Sequence, residues 1–443
     1  MQDKKGFKQT EIGAVPENWQ VATIDKIKAN KKHALAMGPF GSNITKDNFV
    51  ASGVPVIRGN NLTNYRFLDQ DFAFLTEKKA EELESSMVFP GDIVITHRGT
   101  LGQVGIIPVK SQHEKYIVSQ SGMKLSCDNS IVNPQFVFYF LKSPTGQYLL
   151  LRNASQTGVP AIAQPLSSLK KIPVPLPSLK EQNLIVDILS VLDDKIELNQ
   201  QMNKTLEKIG RALFKHWFID FEFPNEKGKP YKSSSGEMVD SDLGKIPKGW
   251  EKGSVSDLVN HSKDTISPYD SPEKIFFHYS IPSYDEGKWP SMEKGNFIKS
   301  NKFLVKSNSI LVSKLNPRMP RIWAVGEVDE SCSVCSTEFQ VLVPKKEWNY
   351  NYVYFSFNSG EITDEMKSLV TGTSSSHQRV RPEDMLNLKI VIPDGDVLQK
   401  FEDISFCLRQ KMWQIDTENK HLCSIHDALL PKLMSGQIRV PVG

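Results

Sequence analysis

The sequence predicts an α+β protein: two pseudo-repeated β-rich domains separated by two long helices that form an antiparallel coiled coil. Three observations carry this prediction. Ile12-Gly-Ala-Val-Pro-Glu-Asn-Trp19 returns as Leu243-Gly-Lys-Ile-Pro-Lys-Gly-Trp250, with Gly13, Pro16 and Trp19 recurring as Gly244, Pro247 and Trp250. A second echo closes each half, where Lys171-Ile-Pro-Val-Pro-Leu-Pro177 is answered by Asn387-Leu-Lys-Ile-Val-Ile-Pro393. At that same offset Leu192, Asn203, Leu206 and Leu213 recur as Leu408, Asn419, Leu422 and Leu429 inside a proline-poor stretch. Between the echoes the halves diverge. Constant frames around unlike inserts are the signature of a duplicated scaffold.

Composition sets wide bounds. A chain of 443 residues holds two or three domains with real cores, and 39% hydrophobic with 24% charged residues is ordinary for a globular protein. No apolar run is long enough for a membrane span, and Met1-Gln-Asp-Lys-Lys-Gly-Phe-Lys8 lacks a signal-peptide core, so a cytoplasmic protein is expected. Five cysteines at wide spacing argue against a disulfide framework. Cys332-Ser-Val-Cys335 has a metal-type spacing but no second pair, so two reduced strand cysteines are expected and no metal. A formal charge of +3 permits nucleic-acid binding without announcing it.

Taken in order, residues 1–177 form the first domain. Val54–Ile57, Asp92–Thr96 and Gln103–Ile107 are short β-branched runs bounded by Gly and Pro. Asn133-Pro134 starts a helix, with Asn as cap and Pro at the first position. Residues 178–220 form the first long helix. Ile185, Leu192, Asn199, Leu206 and Leu213 fall on one heptad seam, with Ile188 or Leu189, Ile196, Met202, Ile209 and Trp217 as the partner seam. Residues 394–443 repeat that register with Phe401, Leu408, Ile415, Leu422 and Leu429, flanked by Ile404, Met412, Ile425 and Leu433. So narrow a stripe suits a two-helix coiled coil, a rod of roughly 60 Å for about forty residues. Two amphipathic helices, each lying on its own domain, are the alternative. Asn199 on the seam is a candidate for fixing register. Residues 221–242 are turn-rich linker. Residues 243–393 form the second β-rich domain, with Asn349–Phe357 in the place of the Pro134 helix. Two homologous halves tend to pack about a pseudo-twofold axis, which makes equivalent helices antiparallel.

Laid out this way, the chain resembles the DNA-specificity (S) subunit of type I restriction–modification systems. The resemblance rests on Leu243-Gly-Lys-Ile-Pro-Lys-Gly-Trp-Glu251, on Gly38–Asn43 followed by Gly53–Asn60, and on Ile172–Gln182. The helix ends Leu206–Phe218 and Leu429–Arg439 extend it over nearly the whole chain. It implies two target-recognition domains on double-stranded DNA, two copies of a modification (methyltransferase) subunit, and a restriction subunit. It also implies no cofactor in this chain, with S-adenosylmethionine, ATP and Mg used by the partners. The B-DNA backbone has a matching twofold symmetry. Unlike inserts then predict a bipartite, asymmetric site with a spacer set by the rod.

Phosphate contacts need Lys, Arg and small donors, while base edges in the major groove favour Arg, Lys, Asn and Gln. Three loops of the first domain fit: Arg58-Gly-Asn60-Asn61, the stretch His97, Arg98 to Gln103, and Ser155 to Gly158 with Gln156 and Thr157. In the second domain Lys314-Leu-Asn316-Pro-Arg318-Met-Pro-Arg321 holds three positive charges and no acid, in a place similar to the His97–Arg98 loop. Thr373–Arg381, with Ser375, His377, Gln378, Arg379 and Arg381, takes the part of the Ser155 loop. Arg318 and Arg379 are the favoured readers.

Catalytic patterns are missing. Gly99, Gly102 and Gly105 do not space as a dinucleotide fingerprint, and no phosphate-binding GxxxxGK[ST] loop occurs. Asn316-Pro-Arg-Met319 lacks the second proline and aromatic of the amino-methyltransferase motif. His216 and His426 read as residues at the edge of the helix seams. A non-catalytic DNA-reading subunit is the expectation. A protein-binding scaffold and a stand-alone DNA-modifying enzyme are the alternatives.

Overall fold

The structure is a computed structural model that describes residues 6–62, 67–155, 158–370 and 378–441. The chain divides into two units, one of Met1–Asn199 with Thr417–Gly443 and one of Gln200–Asp416. The division falls inside both long helices, Leu179–Phe214 and Gly395–Met434, rather than at their ends.

Each unit contains a hairpin whose second strand belongs to the first echo. Phe7–Thr10 pairs with Gly13–Pro16, and Met238–Ser241 with Gly244–Pro247. Gly13 and Gly244 sit at φ of +98° and +91°, a conformation that L side chains rarely adopt. The two echoes then meet. Gln20–Thr23 pairs with Pro173–Leu176, and Glu251–Ser254 with Lys389–Ile392. Each is a two-stranded ladder, so Pro173 and Pro175 sit in a strand without a second neighbour needing their missing N–H.

Between these frames each unit carries a four-stranded sheet of one topology. In the first unit its order is Val104–Ile106, Ile93–Thr96, Gly122–Leu125, Leu35–Met37. In the second it is Ile322–Ala324, Ile310–Ser313, Phe339–Pro344, Val259–Ser262. The five-stranded sheets share a parallel pair, Val54–Ile57 with Tyr116–Val118 and Ile275–Tyr279 with Ser333–Cys335. Their edges differ. Phe49–Val50 lies beyond Ala73–Leu75 in one unit, whereas Thr265–Ile266 lies at the opposite edge of the other. The divergent inserts therefore share a frame and vary at its rim.

The main core of the first unit gathers Phe136, Phe140, Ile93, Met123 and Ile172 around Ile185 and Leu433 of the long helices. That of the second gathers Tyr350, Tyr352, Phe357, Ile310 and Leu342 around Phe214 and Phe401. Cys332 and Cys335 are buried free thiols, and burial pushes Cys335 up to about 12.

Within each unit the two long helices run antiparallel. In the first, Asp193 faces His426 at 3.7 Å, Lys195 pairs with Glu418 at 3.2 Å, and Asn199 donates to Asn419 at 2.9 Å. In the second, Asn203 donates to Asp416 at 2.6 Å, and the Phe214 ring meets Phe401. The first predicted seam is the buried one, from fully buried Ile185 and Asn199 to half-buried Leu192, Leu206, Leu213, Leu408, Leu422 and Leu429, with Ile415 buried.

The partner seam holds at Leu189, Ile196, Trp217 and Leu433, all buried, and needs correcting elsewhere. Ile188, Met202, Ile209, Ile404 and Ile425 are all exposed. Of the Ile188 and Leu189 alternatives Leu189 is the inward one, and the other inward positions lie one residue later, at Asn203, Gly210, Ser405 and His426. Polar and small residues hold them for stated reasons. Asn203 is hydrogen-bonded across the seam, the Ser405 hydroxyl donates to the Phe401 carbonyl, and Gly210 admits the Phe355 ring. His426 accordingly lies in the seam rather than at its edge, 5% exposed.

Candidate nucleic-acid interface

In the first unit, strands Ile93–Thr96 and Val104–Ile106 are joined by the loop that holds His97, Arg98 and Gln103. Gly99 and Gly102 turn it at φ of +81° and +76°. The Thr96 hydroxyl donates to the Thr100 carbonyl and accepts from the Gln103 amide. The stretch Pro160–Ile162, just past the predicted Ser155–Gly158 loop, is laced to this one. Gly99 N donates to Pro160 O and Ile162 N to His97 O, both at 2.9 Å, which sets Arg98 opposite Ala161. The third loop joins through the Gln103 side chain, whose Nε2 donates to Leu62 O at 3.0 Å. A cleft of about 410 Å³ opens between them, lined by Gly59, Asn60, Thr96, Arg98, Thr100, Gln103 and Ser121.

The predicted residues sort into two kinds. Arg58, Asn60 and Arg98 face solvent, and the Arg58 guanidinium lies 5.2 Å over the Phe49 ring. Asn61 does not face solvent. It is 1% exposed, and its amide is committed to the carbonyls of Leu68 and Gln70, so it shapes the loop. His97 is likewise buried, with Nε2 at 3.2 Å from Gln120 O. Burial pushes its imidazole below the ordinary value, so at neutral pH it is not a cation for phosphate. Gln156 and Thr157 lie outside the described residues.

The second unit repeats this lacing. Strands Ile310–Ser313 and Ile322–Ala324 flank the Lys314–Arg321 loop. Asn316, at φ of +50°, takes the turn position of Gly99. Asn316 N donates to Gln378 O at 2.8 Å and Val380 N to Lys314 O at 3.0 Å, which sets Leu315 opposite Arg379. In the second unit the laced residues fall inside both stretches chosen from sequence, whereas in the first the partner of the His97–Gln103 loop lies two residues past the chosen Ser155–Gly158. Arg318 and Arg381 are exposed, while Lys314, Asn316 and Gln378 are half-buried. Ser375 and His377 lie outside the described residues.

Two of the arginines are held by acids that the sequence reading missed. Arg321 makes a bidentate pair with Asp285, its Nε and Nη2 at 2.7 and 2.8 Å from the two carboxylate oxygens. Arg379 places Nε and Nη2 against Glu338, with the shortest contact at 2.9 Å. Both acids sit on other elements, far along the chain. No local pattern marks them.

The family described as the type I restriction modification DNA specificity domain matches residues 16–208 and 247–413, most of each half. The chain belongs to that family. The chain is similar to the MjaIX specificity subunit of a type I restriction enzyme from Methanocaldococcus jannaschii, 27% identical over 98% of this chain and 96% of the relative. The HindI specificity subunit from Haemophilus influenzae is 24% identical over 91% of this chain and 98% of its own length. The S subunit of a type I restriction–modification system from M. genitalium has a similar fold, with a TM-score of 0.52 at 17% identity, covering 98% of both chains. In this family's chain the two laced loop pairs are the candidate DNA-reading surfaces.

Proposed function

We propose that this chain is the sequence-specific DNA-binding subunit of a type I restriction–modification complex and reads a bipartite, asymmetric duplex site. One observation carries the reading. In both units two loops far apart in sequence are laced at the same register, and the residues facing each other there differ, Arg98 with Ala161 and Leu315 with Arg379. A shared frame with unlike contact residues suits two half-sites of different sequence. Arg58, Asn60, Arg98, Lys314, Arg318 and Arg381 supply the donors that phosphates and base edges accept.

Catalysis, S-adenosylmethionine, ATP and Mg belong in this reading to partners: two copies of a methyltransferase subunit and a restriction subunit. The complex acts in the cytoplasm. No helix among the described residues is long and apolar enough to cross a membrane. Exposed apolar residues on the long helices support repeated partner docking, because Ile188 and Ile209 recur at equivalent positions as Ile404 and Ile425.

The deciding experiment maps methylated adenines in DNA modified by this chain together with its methyltransferase partner. The expected outcome is two short, different half-sites at a fixed gap. An ungapped or palindromic site overturns the proposal. Salt-insensitive binding to duplex DNA overturns its electrostatic part.

A further inference from the structure

The lacing aligns the two units residue by residue. His97 N donates to Ser121 O where Lys314 N donates to Glu338 O, at 2.8 and 2.9 Å. Ser121 and Glu338 therefore occupy one position, as do Arg98 and Leu315, and Ala161 and Arg379. Each unit has a single guanidinium at this bridge, on opposite partners. The second unit alone adds a carboxylate beside it.

That carboxylate is out of place on a phosphate-binding surface, because it repels the DNA backbone. Fold stability does not account for it. The side chains of Arg379 and Glu338 are 41% and 24% exposed, and ion pairs of that kind contribute only about 0–1 kcal/mol. What the pair does achieve is orientation. With both Nε and Nη2 turned to Glu338, the guanidinium is held in one plane relative to the loop. A swinging arginine finds the nearest phosphate, whereas a plane-fixed one suits the paired acceptors on the edge of a guanine.

We propose that Glu338 is a specificity-determining residue of the second unit: it holds Arg379 in the plane needed to read a guanine and disfavours contact with phosphate. This rests on the DNA-reading assignment above.

The test is selection of bound duplexes from a randomised library by the full chain with its modification partner, as wild type, Glu338→Gln, Glu338→Ala and Arg379→Lys. Affinity for scrambled duplex and melting temperature are measured alongside. Both Glu338 variants are expected to lose discrimination at one G·C pair by roughly tenfold, in the half-site read by the second unit only. Their affinity for scrambled duplex should rise severalfold at low salt, because a repelling charge is gone. Arg379→Lys should blur the same pair without that rise. An unchanged consensus in Glu338→Gln and Glu338→Ala overturns the proposal. So does a parallel loss on selected and scrambled duplexes, which marks a support of the fold. Wild-type protein that selects no sequence defeats the DNA-reading assignment instead, a result distinct from either.

Discussion

Asp416, in the second helix, is half-buried beside Asn203, and burial raises its carboxyl to about 6 despite the Lys288 ammonium and the Asn203 amide, which favour the ionised form. The folded state therefore binds this proton more tightly than the unfolded chain does. Its contribution to stability is full below about pH 4, is lost between about 4 and 6, and above that range the ionised group is a constant burden. Asp416→Asn keeps an oxygen to accept from Asn203. The variant should melt higher at pH 7, by about 1–2 kcal/mol after allowing for solvent screening, and its stability should no longer fall between pH 4 and 6. A pH series of melting curves for both proteins checks this; equal slopes would refute it. Partners distant along the chain limit what local sequence shows of contact residues. Arg318 and Arg98 could be picked from local composition, because exposed loop arginines need no partner to be seen. Arg321 and Arg379 looked alike in sequence, yet Asp285 reaches one from the helix Ile281–Gly287 and Glu338 the other from the turn before Phe339–Pro344. Asn61 and His97 were chosen for their polar chemistry, whereas the backbone carbonyls around them use that chemistry internally.

At the scale of the helices, the heptad seam was legible where apolar residues mark it, Asn199 being placed by the leucines and isoleucines that flank it at heptad spacing. Ile185, Leu192, Leu206, Leu408 and Ile415 show it. Asn203, Gly210, Ser405 and His426 hide it, because their fitness for the seam depends on what faces them. Gly210 shows how strongly. A Cβ there would come within 2.3 Å of Phe355 Cζ, so the ring packs directly on the helix backbone. Gly→Ala in a helix interior usually gains about 0.8–1.0 kcal/mol. Gly210→Ala should instead destabilise, lowering the melting temperature by several degrees, and a neutral or stabilised variant would disprove the packing argument. Asn199 offers a different test. It is 1% exposed and donates to Asn419 and to Glu418 in the same unit. Asn199→Leu alone leaves Asn419 facing a hydrocarbon and should cost about 1–3 kcal/mol. Asn199→Leu with Asn419→Leu should recover that loss, since an apolar pair avoids desolvating two amides. A double-mutant cycle in thermal denaturation measures the coupling. Additive single effects would show that the two amides do not act as a pair.

At the scale of the whole molecule, duplication was the strongest signal in the sequence, because the echoes fall on the strands and turns that frame each unit. The edge strands of the five-stranded sheets were illegible. Phe49–Val50 and Thr265–Ile266 are two residues each, too short for any periodicity. A frame of that kind makes a demand on function that can be measured. Under the proposed reading the paired helices set the gap between half-sites, and the inserts set the bases. Seven residues added to both helices at facing positions preserve the heptad register and lengthen each by about 10.5 Å. At about 3.4 Å per base pair, the preferred spacer should widen by about three base pairs while both half-sites keep their sequence. Mapping methylated adenines after modification by the lengthened chain and its partner reads gap and bases together. A changed base preference within either half-site would mean that the helices help shape the reading loops. An unchanged gap would mean that something other than the helices measures it.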